Sequence, residues 1–275
     1  MFQKSSRAPG RVSRLTGTVS AAILLIGLSA CQTSGPSDIT GSLGEPAETA
    51  QASADPRRDI EIYHERVRAN PKDADAALKY AKALRATGQR AQAVAVLEQA
   101  VLAQPGNKAL LAGYGRALAD NGNFQQAFDV LGRAHTPEDP DWRILSAQGA
   151  VLDQMDRHDE ARQYYSSALK IVPDEPSVLS NLGLSYLLAK DLPMAEETLR
   201  RAQKRAPGDA RVRTNLAMVV GLQGRQSEAE TIVKADLPPE QAATNVAALK
   251  RLLARSKEAT RADADKIPVA ASRRD

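Results

Sequence analysis

The side chains able to carry chemistry are few and scattered. Cys31 is the one cysteine, so neither an internal disulfide framework nor a multi-cysteine zinc site is open to the chain. His64, His135 and His158 stand far apart, with no HExxH spacing to set two imidazoles on one face of a helix. They read as surface or packing histidines. Gly113-Tyr114-Gly115 begins like a phosphate-binding glycine loop, but it lies inside a predicted helix, follows no strand, and its sixth residue is Leu118. Helix packing explains Gly115 without a nucleotide. No GxSxG elbow, P-loop or pair of facing carboxylates stands out. The chain is expected to be no enzyme and to hold no metal and no cofactor.

What chemistry remains lies at Cys31. Lys4, Arg7, Arg11 and Arg14 precede a mostly apolar stretch, Leu15 to Leu28, which is too short and too polar at its start to span a membrane. The stretch ends in Leu28-Ser29-Ala30-Cys31, which resembles the bacterial lipobox. A plain secretory signal or a short N-terminal anchor are the other readings; a small residue just before the only cysteine favours the lipobox. That resemblance implies a lipoprotein signal peptide over 1–30, cleavage before Cys31, and membrane attachment through acyl chains on its sulfur. Several chains anchor stably at about 0.8 kcal/mol per buried methylene. Gln32, where an Asp resembles an inner-membrane retention signal, favours an outer-membrane, periplasm-facing location.

The signal also accounts for the charge. The formal charge is +4, but without those four residues the 37 basic side chains fall to 33, equal to the 33 acidic ones. No phosphate-neutralising surface is implied, and no nucleic-acid partner. The composition, 43% hydrophobic and 25% charged, excludes a multi-span membrane protein and a wholly disordered one. Residues 31–55 are Ser/Thr/Gly/Pro/Ala/Glu-rich with almost no large apolar side chains, and are expected to form an acylated, flexible tether. A disordered tail is expected over 256–275.

Positioning falls to a repeat. Pro71, Pro105, Pro173 and Pro207 keep a phase of 34 residues or its multiple, as do Ala93, Ala127, Ala161, Ala195 and Ala229. A further series is Ala100, Ala134, Ala168 and Ala202, and pairs such as Tyr80-Ala81, Tyr114-Gly115, Leu182-Gly183 and Leu216-Ala217 keep the same phase. Five windows follow without insertion, 74–107, 108–141, 142–175, 176–209 and 210–243, the last with a degenerate end. They resemble the tetratricopeptide repeat, with large residues at positions 4, 7, 11 and 24, small ones at 8, 20 and 27, and proline at 32. Leu179, Leu182, Gly183, Tyr186, Ala195, Leu199, Ala202 and Pro207 show the pattern best. The fold class implied is all-α, a right-handed α-solenoid of about five repeats. Capping helices are expected over 56–73, on Ile60, Tyr63 and Val67, and over 239–255, on Val246, Leu249, Leu252 and Leu253. Turn residues Thr87-Gly88, Asn121-Gly122 and Gln223-Gly224 split each window into two helices. The run His135-Thr136-Pro137-Glu138-Asp139-Pro140 predicts a short second helix and an irregular turn in the second window.

In arrays of this family the first helices line a concave face through positions 2, 5, 9, 12 and 13. Carried onto this sequence, the partner-binding groove comprises Asp75, Lys82, Arg85, Arg116, Asp120, Arg143, Asp153 and Gln154 in the first three repeats. In the last two it comprises Leu184, Leu187, Leu188, Arg211, Met218 and Leu222. The groove so drawn changes from charged to apolar. The leucines suit a binding patch or contact with the C-terminal cap, and both readings stand. The clamp for C-terminal carboxylates known in some relatives is not expected, since Asn181 and Asn215 match only its position-6 element.

The lipobox, polar tether, five repeats and closing segment Ala235-Asp236-Leu237-Pro238-Pro239-Glu240-Gln241-Ala242-Ala243-Thr244-Asn245-Val246-Ala247 together resemble the TadD-type lipoproteins of tight-adherence (Flp) pilus assembly. That resemblance implies a non-enzymatic scaffold assisting assembly or localisation of the outer-membrane secretin, with the secretin or other pilus-assembly components as partners. Two alternatives are a scaffold for peptidoglycan hydrolases and an accessory subunit of the outer-membrane protein insertion machinery.

Overall fold

The computed structural model describes residues 55–265 apart from residue 236. The expected signal peptide, Cys31, the tether as far as residue 54, and residues 266–275 of the expected tail lie outside the described residues.

Among the described residues there are twelve helices and no strand. A single helix, α1 (Pro56–Ala69), precedes five antiparallel pairs: α2 (Ala74–Ala86) with α3 (Arg90–Ala103), α4 (Lys108–Asp120) with α5 (Phe124–Gly132), α6 (Trp142–Gln154) with α7 (His158–Ile171), α8 (Pro176–Leu188) with α9 (Leu192–Arg205), and α10 (Ala210–Leu222) with α11 (Gln226–Lys234). The last helix, α12 (Pro239–Asp265), follows. The first helix of every pair opens on the first residue of a 34-residue window. It starts there because a polar residue stands just before it to satisfy an orphan N–H. Asp73 accepts from the Ala76 amide at 2.9 Å, Asn107 from Leu110 at 3.1 Å, Asp141 from Arg143 at 2.7 Å and Asp209 from Arg211 at 2.8 Å.

The second helices α3, α5, α7 and α11 start without such a side-chain cap, whereas Asp191 caps α9 by accepting from the Met194 amide at 3.2 Å. All five turns pass through one left-handed residue at the same repeat position: Gly88, Gly122, Asp156, Lys190 and Gly224, with φ between 58° and 88°. The next amide then bonds back over the end of the first helix, Gln89 to the Leu84 carbonyl at 2.8 Å and Asp191 to Tyr186 at 2.9 Å.

Within a pair, small residues bring the axes together. Ala93, Ala127, Ala161, Ala195 and Ala229 are fully buried. A Cβ on Gly115, Gly149 or Gly183 would come within 2.6–2.7 Å of Leu131, Tyr165 or Leu199 on the second helix, so only glycine admits those side chains. This packing accounts for Gly115. Gly113 answers to the neighbouring pair, where its Cβ would meet Leu78.

The two ends are covered differently. On α1, Ile60, Tyr63 and Val67 pack half-buried against the first cluster of core side chains. On α12, Val246, Leu249 and Leu253 are buried in one cluster with Val219, Val220 and Val233, and Leu253 sits where a Cβ on Gly221 would be. The helix was expected to stop near residue 255; it runs ten residues further, to Asp265. The sequence from Ser256 to Asp265 has no glycine or proline and is rich in Ala, Lys, Glu and Arg, so the helix has no reason to end there. In the second pair α5 has nine residues where α3, α7 and α9 have 14. The chain then turns through Thr136 and Asp139, which exchange backbone hydrogen bonds at 3.2 and 3.4 Å. Among the described residues no helix is long and apolar enough to cross a membrane.

Candidate functional site

The first helices α2, α4 and α6 stand side by side, and a cavity of about 670 Å³ opens across them. Leu78, Ala109, Ala112 and Gly113 give it an apolar floor, while Arg85, Lys108, Arg116 and Arg143 give it cationic walls. The turn from Ala134 to Asp141 closes one side. That side exists because α5 is short: a full-length second helix would carry the chain past this position.

The expected groove residues of the first three repeats fall into distinct environments. Arg85, Arg116 and Arg143 line the cavity together. Arg85 is held by Asp120 of the next first helix, Nε to Oδ2 at 2.5 Å, with both side chains about three-quarters buried. Arg143 is exposed and lies over the Trp142 ring, 4.7 Å from its centroid. Lys82 and Gln154 are exposed, and Asp75 pairs with Lys79 one turn along α2 at 2.9 Å.

Asp153 was assigned to the groove by position, and the structure corrects this. It is buried and accepts three hydrogen bonds, from His158 Nδ1 at 2.8 Å, Ser185 Oγ at 2.8 Å and Tyr165 OH at 2.9 Å. Burial pushes its carboxyl above the usual range even though those donors pull the other way. Tyr165, wholly enclosed beside this carboxylate, is pushed well up too. Ser185 bonds Asp153 and not His158, so the group is a tie between the third and fourth repeats and not a nucleophile with its base.

Leu184 is a second correction. It is only 8% exposed, covered by the helices around it, and offers no surface to a partner. Leu187, Met218 and Leu222 are half-buried against the cluster that α12 completes. Of the leucines in that set Leu188 alone is exposed, at 42%. Arg211 is exposed beside Asp209 at 3.6 Å. The C-terminal half of the groove is therefore largely closed. Its first helices are also sewn together by hydrogen bonds, Asn181 to Ser146 and Asn215 to Ser180, each 3.1 Å.

Sequence reasoning did not pick out Lys108, His135, Asp139 and Trp142 as site residues, yet they line the cavity. The break in the period at His135–Pro140 was the available signal. His135 is fixed by Gln148, Nε2 to Oε1 at 3.1 Å, and Lys108 Nζ donates to Asp139 Oδ2 at 2.9 Å. Among the described residues no three His, Cys, Asp or Glu side chains gather as metal ligands would.

Comparison with known proteins gives the same architecture. A family model described as the tetratricopeptide repeat matches residues 84–149 and 154–219. No curated protein matches the sequence. Among solved structures, the chain is similar to PilW, a type IV pilus biogenesis factor, with a TM-score of 0.58 and 19% identity over 69% of this chain and 90% of that one. It is similar to TTC0263 of Thermus thermophilus with a TM-score of 0.53 and 21% identity, over 58% and 88% of the two chains. A third similar structure is pilF of Pseudomonas aeruginosa, with a TM-score of 0.50 and 20% identity over 76% and 91%. At these identities the likeness is one of fold.

Proposed function

Because the chain is an all-α solenoid of tetratricopeptide repeats, we propose that it is a non-enzymatic scaffold for protein partners. In this reading it is held at the outer membrane by acyl chains on Cys31, faces the periplasm, and assists assembly or localisation of the outer-membrane secretin in tight-adherence pilus biogenesis. The observation that carries the scaffold is the cavity across three successive first helices. A concave surface, part apolar and part cationic, on a closely packed solenoid suits a segment of another protein. The anchor rests on Leu28-Ser29-Ala30-Cys31, and the pilus on the segment from Ala235 to Ala247. PilW, which shares the fold, is itself a pilus biogenesis factor.

Affinity capture from detergent-solubilised membranes, followed by mass spectrometry, tests the reading. Wild type should enrich the secretin or other pilus-assembly proteins, and Cys31→Ser should leave the membrane fraction as unprocessed or displaced protein. Recovery of cell-wall hydrolases or of the outer-membrane insertion machinery would replace the pilus with one of those partners. Normal maturation and fractionation of Cys31→Ser would end the lipid-anchor reading.

A further inference from the structure

The five turns through a left-handed residue share a backbone but not a chemistry. The residue just before it is Thr87, Asn121, Met155, Ala189 or Gln223, so only the second repeat sets an asparagine before a glycine. No other asparagine in the chain is followed by glycine. The pairing matters because the side-chain amide carbon of asparagine is an electrophile within reach of the next backbone nitrogen. A glycine there, with no Cβ, leaves the approach open and the backbone free to take it up. Asn121, Gly122 and Asn123 are all exposed to water.

The folded turn holds these groups apart. Asn121 closes α4 with φ −86° and ψ −1°, which keeps the Gly122 nitrogen on the side of Asn121's own nitrogen and away from its side chain. The Gly122 N–H donates to the Ala119 carbonyl at 3.0 Å, and the Asn123 N–H to the Leu118 carbonyl at 2.9 Å. The Asn121 side-chain amide donates to Asn123 Oδ1 at 2.7 Å. All of these restraints belong to one exposed turn, so a local opening removes them together.

We propose that Asn121 is a self-modification site, held closed in the folded repeat, that reacts when the turn between α4 and α5 opens and leaves a product the turn does not accommodate. The Gly122 nitrogen forms a bond to Asn121 Cγ and the Cγ–Nδ2 bond breaks. The Gly122 amide proton passes through water to the departing nitrogen, and ammonia leaves behind a cyclic imide. Water then adds to one of the two imide carbonyls and reopens the ring, giving aspartate or, with the main chain rerouted through the side chain, isoaspartate. Either product puts a carboxylate at the C-terminus of α4, where the helix dipole disfavours it, and beside the Asp120 that holds Arg85. Isoaspartate also lengthens the main chain by a methylene inside the turn, which takes the Asn123 amide out of register with Leu118. Because ammonia is lost, the mark is not reversed when the turn closes again.

The full chain would be incubated at neutral pH, folded in buffer and unfolded in urea, then digested and its asparagines followed by mass spectrometry. In urea Asn121 should convert faster than any other asparagine and yield isoaspartate. In the folded chain the same site should convert roughly five- to thirtyfold more slowly, the factor that one or two net hydrogen bonds supply. Asn123→Ala removes the side-chain acceptor and keeps the backbone bonds, so it should speed conversion of the folded chain roughly two- to tenfold and leave the rate in urea unchanged. Asn121→Asp, the product that a gene encodes, should melt below wild type by circular dichroism. Equal rates at Asn121 with and without urea, faster conversion at another asparagine in urea, no response to Asn123→Ala, or an Asn121→Asp midpoint equal to that of wild type would each overturn the proposal.

Discussion

Two carboxylates show how differently one chemical group is used in this fold. Glu196 on α9 is met by Arg225 at 2.6 Å and Arg200 at 2.7 Å, and the hydrogen bond from Arg225 above all lowers its carboxyl to about 2. An unperturbed glutamate takes its proton near 4.5, so the stabilisation is fully present above that pH and is lost as pH falls toward 2. Glu196→Gln should lower the melting temperature at neutral pH and flatten the acid limb of the stability profile between those values. Circular dichroism melts across a pH series would show it, and an acid limb as steep as in wild type would contradict the assignment. Asp153 has the opposite sign. Burial raises its carboxyl, so the folded chain takes up that proton at a higher pH than the unfolded chain does, and this group favours folding on the acid side. Neither role was legible in the sequence. Spacing puts both residues on known helix faces, but their partners come from other helices, and the rotamers that bring them together are set by packing between repeats.

At the scale of the element, the turns inside the repeats were legible where they contain glycine, at Gly88, Gly122 and Gly224. They were hidden where Asp156 and Lys190 take the same left-handed backbone. Those two side chains bear a conformational cost that glycine avoids, on the order of 1 kcal/mol. Lys190 is exposed, and its turn bonds are made by backbone atoms, the Lys190 amide to Leu187 at 2.9 Å and Asp191 to Tyr186 at 2.9 Å. Lys190→Gly should therefore raise stability by about 1 kcal/mol, measured by denaturant unfolding. A midpoint unchanged or lowered would mean that the lysine sits there without strain. The starts of the first helices were legible through the 34-residue phase that set the windows, and the polar residue just before each supplies the physical reason. The end of α12 was not, since charge and missing large apolar residues say little about where a helix stops.

For the whole molecule, the 34-residue phase located every first helix but not which of their inner positions stay open. Arg116 and Arg143 line a cavity while Asp153 and Leu184, at comparable positions, are buried. The difference comes from neighbours: the shortened α5 leaves room between the second and third repeats, whereas hydrogen bonds close the first helices of the last three. The far end depends on α12 for cover. A chain ending at Lys234 would lose Val246, Leu249 and Leu253 from the cluster around Val220 and Val233. It should associate with itself through the bared face. Analytical ultracentrifugation of that truncation beside the full chain would show the shift, and a monodisperse monomer would argue that α12 is dispensable.

Among the described residues, every substantial contact between helices joins an element to the next one along the chain or the next but one. No helix waits for a partner hundreds of residues away, so the loops that must close are short and folding should be fast for the chain's length. A polypeptide emerging from its N-terminus can settle one pair as soon as the following first helix appears, and the only face left without a partner is always the newest. Until α12 is settled the last repeat stands open, so the bared apolar face moves along the chain as it folds and is covered only when Val246, Leu249 and Leu253 dock.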